Sequence, residues 1–433
     1  VSPGQSAGPG ASQAETQASA QAADQAQAGA QAGGQPQADA QIKHQPRAEP
    51  ETQDQAGDQA PAGAAAAEAR PEAQIQEQAE APEPPEDPAQ AQAQARAQAQ
   101  ARDFAELGGL MLARSTVDRV SVRRGDPEWV ATAWADPRTR VLVLDTSGQA
   151  LVRFGDNAAE LVLVPPSEAP DGLSFLLGVD DDGVTYFGLL ERPVEGPELA
   201  STEAGPARPE QQTTQQQAAW LARAGPGERR AGLREAAALL GDRDAGLFTH
   251  AVALANWHVS HTHCPRCGAL TETFAAGHAQ RCPVDGSEHF PRIDPAVIML
   301  VTDQDDRCLL ARNRRWPQRR VSILAGFVEP GESAEQAVAR EVGEETGIAV
   351  SHVRYVGSQP WPMPQSLMLG FRAVASGDLS LRVDDEEIAE AHWYSRDELR
   401  AALAAGDILL PPPVSIAHRL IESWYGEELP GVW

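Results

Sequence analysis

Three glutamates within five residues, Glu341, Glu344 and Glu345, are the part of this chain best suited to chemistry. Positions three and four apart on a helix share a face, so the three carboxylates would project together. Unaided, they repel and lower helix stability. Hard oxygen ligands gathered this way suit Mg²⁺ or Mn²⁺, and a bound cation turns the repulsion into attraction. The surrounding stretch, Gly326–Ile348, reads GFVEPGESAEQAVAREVGEETGI. Ser333 with Gln336 three residues on is a capping-box pattern, and Gly347 is the expected left-handed stop. Between them the spacing predicts a helix of about three and a half turns. Ala334, Ala337, Val338 and Val342 supply its apolar face. Gly343 in the interior costs about 0.8–1 kcal/mol, from which a purely structural helix gains nothing.

A second constellation could hold metal. Cys264-Pro-Arg-Cys267 has the spacing of a zinc knuckle, and Cys282-Pro-Val-Asp285 repeats it with a carboxylate in the fourth position. Thiolate is the preferred ligand, but a carboxylate oxygen also binds Zn²⁺. Asp285 is the first choice for fourth ligand, His278 and His289 are rivals, and a metal-free ribbon held by packing is the remaining option. The fourth cysteine, Cys308, lies in an apolar run and reads as a small core residue. A closed four-ligand site of this kind is structural.

The glutamate-rich stretch resembles a complete Nudix box, and the likeness extends outward from it. Ser358–Ser366, SQPWPMPQS, resembles the SQPWPFPxS motif of NADH pyrophosphatases (NAD⁺ diphosphatases), with Met363 in place of Phe. The cysteine knuckles and EHFPRIDPAVI, Glu288–Ile298, stand where that subfamily has a zinc ribbon leading into its catalytic domain. The resemblance implies cleavage of the pyrophosphate bond of NAD(H) to nicotinamide mononucleotide and AMP. Removal of NAD caps from RNA uses the same bond. Broader action on ADP-ribose or other dinucleotides is the next alternative, and a binding module with a vestigial box the last. It further implies metal ligation by the Ala325 carbonyl, Glu341, Glu344, Glu345 and a downstream carboxylate aligned with Glu387, with Glu344 or Glu345 as the base toward water. Phe327 and Phe290 resemble positions that stack on the nicotinamide end, Phe290 across a homodimer interface. Gln359, Pro360, Trp361, Pro362, Met363, Pro364, Gln365 and Ser366 would form a proline-stiffened substrate loop, and Ala417 a further contact. Arg340 and Glu332 are expected to pair and brace the box.

Four parts position these groups. Residues 1–102 are Ala-, Gln- and Pro-rich, with a net charge of −9, and cannot bury enough apolar surface to order. Residues 103–258 read as an α+β domain. Its strands are expected at 140–145, 150–154, 161–164, 173–177 and 185–190, followed by helices at 218–224, 232–240 and 244–258. Residues 259–292 form the ribbon. Residues 293–433 carry the box in an α/β/α sandwich with a mixed sheet. There, strands are expected at 296–302, 308–311, 321–324, 350–356 and 367–375, with helices from Ser395 and Ser415.

The whole chain carries −27 at neutral pH, which argues against general affinity for nucleic-acid backbone or anionic membrane. Arg312, Arg314, Arg315, Arg319 and Arg320 are a local exception, suited either to substrate phosphates or to balancing nearby acids. Lys43 is the only lysine, so cationic contacts in the folded part fall to Arg or His. No signal peptide or long apolar run is visible, and the thiols suit metal in a reducing compartment, so a cytoplasmic setting is expected.

Overall fold

The computed structural model describes residues 107–191, 224–383 and 386–429. The N-terminal tail, the polar 198–217 segment and, Ala224 excepted, the helix expected at 218–224 lie outside them.

The first sheet has six strands: β1 (Arg140–Leu144), β2 (Gln149–Phe154), β3 (Ala159–Leu161), β4 (Gly172–Val179), β5 (Thr185–Glu191) and β6 (Glu228–Gly232). Its order is β3-β2-β1-β5-β4, with β6 on β2. Helix α1 (Pro127–Ala135) was not expected, although Asp126 accepts from Trp129 N and Pro127 occupies N1, a start signal legible in sequence. Polar β6 was also missed, and the helix expected at 232–240 is one turn, Leu233–Ala236.

Helix α2 (Asp242–Ser260) carries Ala245, Leu247, Phe248, Ala251, Val252, Leu254, Ala255 and Trp257 buried around most of its circumference, as a helix sunk into a core must. Its C-terminal end meets the ribbon. His258 Nε2 donates to Gly277 O at 2.8 Å, and its Nδ1 lies 3.2 Å from Gln280 Nε2. Burial pushes His258 down to about 4, so the ring is neutral and holds this tautomer.

The ribbon is a three-stranded sheet, β7 (Glu272–Phe274), β8 (Ala279–Arg281) and β9 (Glu288–His289). The last unit contains β10 (Asp294–Thr302), β11 (Cys308–Asn313), β12 (Leu324–Phe327), α3 (Ala334–Thr346), β13 (Ala349–Trp361), β14 (Ser366–Ser376), β15 (Ile388–Tyr394), α4 (Arg396–Ala405) and α5 (Ile416–Tyr425). The sheet runs β13-β14-β10-β11-β15 with β12 also on β10. Only β10 and β14 pair in parallel, so it is mixed.

Alternation along β10 explains the layers. Val297, Met299 and Val301 face α3 with Ala337, Val338 and Val342. Ile298 and Leu300 face α4 and α5 with Leu399, Leu420 and Ile421. The strand expected at 321–324 is displaced to 324–327, because the backbone pairs with β10 only from Leu324 onward. Two capping boxes expected from sequence are present, at Ser333 and Ser395.

Candidate active site and metal cluster

Helix α3 begins at its capping box, where Gln336 N donates to Ser333 Oγ at 3.2 Å and Ser333 N to Gln336 Oε1 at 2.9 Å. It stops at Gly347, φ 72°. Glu341 is half-buried, Glu344 exposed, and Glu345 only 4% exposed. The expected Arg340–Glu332 pair forms through two hydrogen bonds of 2.9 Å. Arg340 does more than brace the loop. Its Nη1 reaches Glu341 Oε1 at 2.9 Å and Glu344 Oε2 at 3.1 Å, and its Nη2 donates to Phe327 O at 2.9 Å. One guanidinium thus offsets part of the repulsion on the glutamate face and fixes the chain entering the box.

Burial raises the Glu341 carboxyl above its usual value. Arg340 opposes that, while the charges of Glu344 and Glu387 add to it. Glu387 is therefore electrostatically part of this group. Glu390, three residues on, pairs with Arg312. Arg319 donates to Gly406 O at 2.9 Å, so at least two of the five clustered arginines serve the fold. Ala325, opposite Ile298 on β12, is exposed beside the glutamates. Gly326 leaves the Glu341 carboxylate its place: a Cβ there would lie 1.9 Å from Glu341 Cδ.

Phe290 and Phe327, 65% and 59% exposed, are surface residues and not core. Across the sheet, Phe327 pairs with Ala296, Ala296 with Met368 and Met368 with Gln359. At roughly 4.8 Å between strands, that row spans about 14 Å. The box and SQPWPMPQS therefore lie at one end of one sheet.

That motif is a β-hairpin rather than the expected loop, with Gln359–Trp361 in β13 and Ser366 starting β14. Gln359 is fully buried, and its Nε2 donates to Val414 O at 3.0 Å. Its side chain braces the fold. Trp361 and Met363 pack against the N-terminal core, with the Arg234 guanidinium 5.3 Å above the Trp361 ring. Pro360 is half-buried, Pro362 buried and Pro364 exposed. Gln365 ties back to Asp294 at 2.9 Å. Ala417 is 2% exposed, and its N–H donates to Ser415 Oγ at 3.2 Å.

Asn256 on α2 was not foreseen, since nothing local marks it. Its Nδ2 donates to Pro362 O at 2.7 Å and Pro364 O at 3.2 Å, flanking Met363. Asn256→Ala is expected to cost about 1–2 kcal/mol in urea unfolding and to raise KM more than it lowers kcat. An unchanged KM would show that the hairpin keeps its shape without this clamp.

In the ribbon, Cys264, Cys267, Cys282 and Asp285 present ligand atoms all within 4.8 Å of one another. The two knuckles are alike. Gly268 N donates to Cys264 O at 2.9 Å and Gly286 N to Cys282 O at 3.0 Å, and the glycines have φ of 75° and 72°. Asp285 therefore takes the position that Cys267 takes in the first knuckle. Hydrogen bonds from Ser287, side chain first, hold its carboxyl well below the usual range. His289 reaches Ser287 Oγ at 3.1 Å, one bond removed, while His278 is turned to Leu176 O at 2.7 Å. Cys308 is buried in β11. Of the four candidates beyond the three clustered thiols, the geometry gathers only Asp285.

Residues 292–410 match the family model of the NUDIX domain. NAD-capped RNA hydrolase NudC of Mycobacterium bovis (strain BCG / Pasteur 1173P2) is 40% identical over 328 residues, 72% of this chain and 94% of that protein. NAD-capped RNA hydrolase NUDT12 of Macaca fascicularis is 42% identical over 197 residues, 43% of this chain and 42% of its own. A solved NUDIX hydrolase from Nitrosomonas europaea matches with TM-score 0.31 and 22% identity, over 40% of this chain and 96% of that one. The protein is thus a hydrolase of the Nudix class. Within that class the chain belongs to the NADH pyrophosphatase subfamily. Among the described residues, no helix is long and apolar enough to cross a membrane.

Proposed function

We propose that this protein hydrolyses the pyrophosphate bond of NAD(H), giving nicotinamide mononucleotide and AMP, and acts on the same bond in NAD-capped RNA. The observation that carries this reading is the Glu341 and Glu344 carboxylates held together by Arg340, with the charge of Glu387 reaching Glu341, at the sheet end that also bears exposed Phe327. The donor set fits Mg²⁺ or Mn²⁺: several carboxylates, one in a half-buried position that favours charge neutralisation, and the nearby Ala325 carbonyl. Bound there, a divalent ion acidifies water and neutralises charge on the phosphate oxygens.

The remaining steps belong to the protein. One carboxylate of the group accepts the proton of the attacking water. Oxygen adds to one phosphorus, and the bridging P–O bond breaks. Arg340 fixes Glu341, Glu344 and the Phe327 carbonyl in one arrangement, so the group does not reorganise during reaction. Phe327, with Phe290 from a second copy in a homodimer, offers an aromatic face to the nicotinamide end. The hairpin 359–366 bounds the site through its backbone and Pro364, with Trp361 anchoring it from behind. Residues 259–292 as ribbon and 293–433 as catalytic unit are the division this reading uses. A reduced thiol cluster suits a cytoplasmic setting.

The test is product analysis with NADH, NAD⁺, ADP-ribose and NAD-capped RNA in Mg²⁺ or Mn²⁺. AMP and nicotinamide mononucleotide from NADH support the reading. Faster turnover of ADP-ribose than of NADH overturns the substrate assignment, and cleavage of nothing overturns the enzyme. Comparing NADH with NAD-capped RNA at equal concentration ranks those two.

We further infer that the ribbon holds Zn²⁺ through Cys264, Cys267, Cys282 and Asp285. Metal analysis should find one zinc per chain. Because thiolate binds zinc better than carboxylate, Asp285→Cys should resist chelators longer than wild type, and Asp285→Ala should lose metal first. Equal zinc retention in all three would remove Asp285 from the ligand set.

A further inference from the structure

The segment Arg119–Arg124 reads RVSVRR in a chain whose net charge is −27. The bridge Asp118↔Val179 lays it along β4. Val120 packs with Ala276 of the ribbon around Leu176 and Phe187. This brings the segment to a wall of two imidazoles. His250 of α2 and His278 of the ribbon have ring centroids 5.3 Å apart.

Arg124 Nη2 donates to Arg119 O at 3.2 Å, which links the two arginines. Arg124 Nε is buried and makes no hydrogen bond among the described residues. No described carboxylate pairs with either guanidinium. The acids nearest in sequence are spent locally. Asp118 Oδ1 accepts from Val120 N at 2.9 Å and Asp126 Oδ1 from Trp129 N at 3.0 Å. Elsewhere the protein pairs its arginines with acids, as at Arg153, Arg230 and Arg307. Here the positive charges meet only each other and the imidazoles. Burial first, then Arg119, holds His250 well below its usual value, so it is a neutral wall. The same place has left-handed backbone at Val120, Ala275 and Ala276, with φ of 39°, 50° and 49°, a conformation that residues bearing a Cβ seldom adopt.

We propose that Arg119 and Arg124, backed by His250 and His278, bind a phosphate group. Two guanidiniums without a described carboxylate, one of them with a buried N–H left unbonded, favour an anionic acceptor, and the fork of arginine matches phosphate oxygens. A cation is disfavoured by the same charges. The site lies on the N-terminal sheet and ribbon, not on the carboxylate helix, and does not depend on the reaction proposed above. Two sources supply this chemistry: free inorganic phosphate, and the phosphodiesters of a polynucleotide.

The full chain is titrated with inorganic phosphate by calorimetry and with an uncapped RNA oligonucleotide by fluorescence anisotropy. Wild type is compared with Arg119→Ala/Arg124→Ala and with a control of equal charge change, Arg138→Ala/Arg400→Ala. The first double variant should bind at least about tenfold more weakly and the control less than about twofold, a difference that two charged hydrogen bonds support. Binding of phosphate alone assigns the free ion, and binding of RNA alone assigns the chain phosphate. Failure of wild type to bind either, or equal loss in the control, overturns the site. If the double variant unfolds, Arg119→Ala, an exposed change, replaces it, and wild-type binding by that variant overturns the proposal.

Discussion

Glu345→Gln should lower kcat by about three orders of magnitude, close to the roughly 4 kcal/mol that removal of one fixed charge-stabilising group costs in enzymes generally. The fold should survive. Glutamine has the same shape, and it removes one of three like charges from a single helix face, a relief of about 0.2–0.5 kcal/mol. Without divalent ions, then, the variant should melt no lower than wild type. Adding Mg²⁺ should reverse the order. An ion at a hundred times its Kd stabilises the folded chain by about 2.7 kcal/mol, and the variant should gain less. Loss of activity with an unchanged response to Mg²⁺ would mean that Glu345 works on water and not on the ion. A mild loss of activity would mean that the cluster is misassigned.

Gly326→Ala should be nearly as damaging by a different route. The added methyl would fall 1.9 Å from Glu341 Cδ and 2.0 Å from Oε1. No backbone stands in the way, only the end of a flexible side chain, so the fold yields cheaply. What yields is the carboxylate, which must leave the position that Arg340 gives it. Activity should fall by about a hundredfold or more, as misplacement of a reacting group by about 1 Å does, while the urea midpoint barely moves. A large loss of stability instead would show that Gly326 is needed for the strand. Glu341→Asp in the Gly326→Ala background is the companion measurement, because a shorter carboxylate makes room for the methyl.

The glutamate-bearing helix was legible because every determinant of it is local. Ser333, Gln336 and Gly347 announce its ends, and Glu341, Glu344 and Glu345 fall on one face by periodicity alone. The sandwich was legible in the mixed order of strands and helices around the box. Asp285 could be placed because its knuckle repeats the spacing of Cys264–Cys267, with proline after the first cysteine in both. What the sequence left open has a common cause. Which way Trp361 and Gln359 turn in a strand, and Ala417 in a helix, depends on what packs there. For Trp361 and Gln359 that was decided by Arg234 and Val414, far away in sequence. Ala417 was decided by its own cap. Asn256 carries no local signal, since its partners are backbone carbonyls more than a hundred residues on. RVSVRR drew no notice in the sequence, and only the fold reveals that no described acid pairs with Arg119 or Arg124.

Helix α2 holds Asn256 and His258 two residues apart. One grips the hairpin tip and the other the ribbon, at Pro362 and Gly277. A helix is stiff over so short a span, so its end behaves as a lever shared by two sites that never touch. Thermodynamic reciprocity then sets a condition. Whatever factor zinc loading contributes to dinucleotide affinity, the dinucleotide must return to zinc affinity. With zinc in the ribbon as proposed, and a factor that favours binding, stripping it would weaken substrate binding and saturating substrate would slow the escape of zinc.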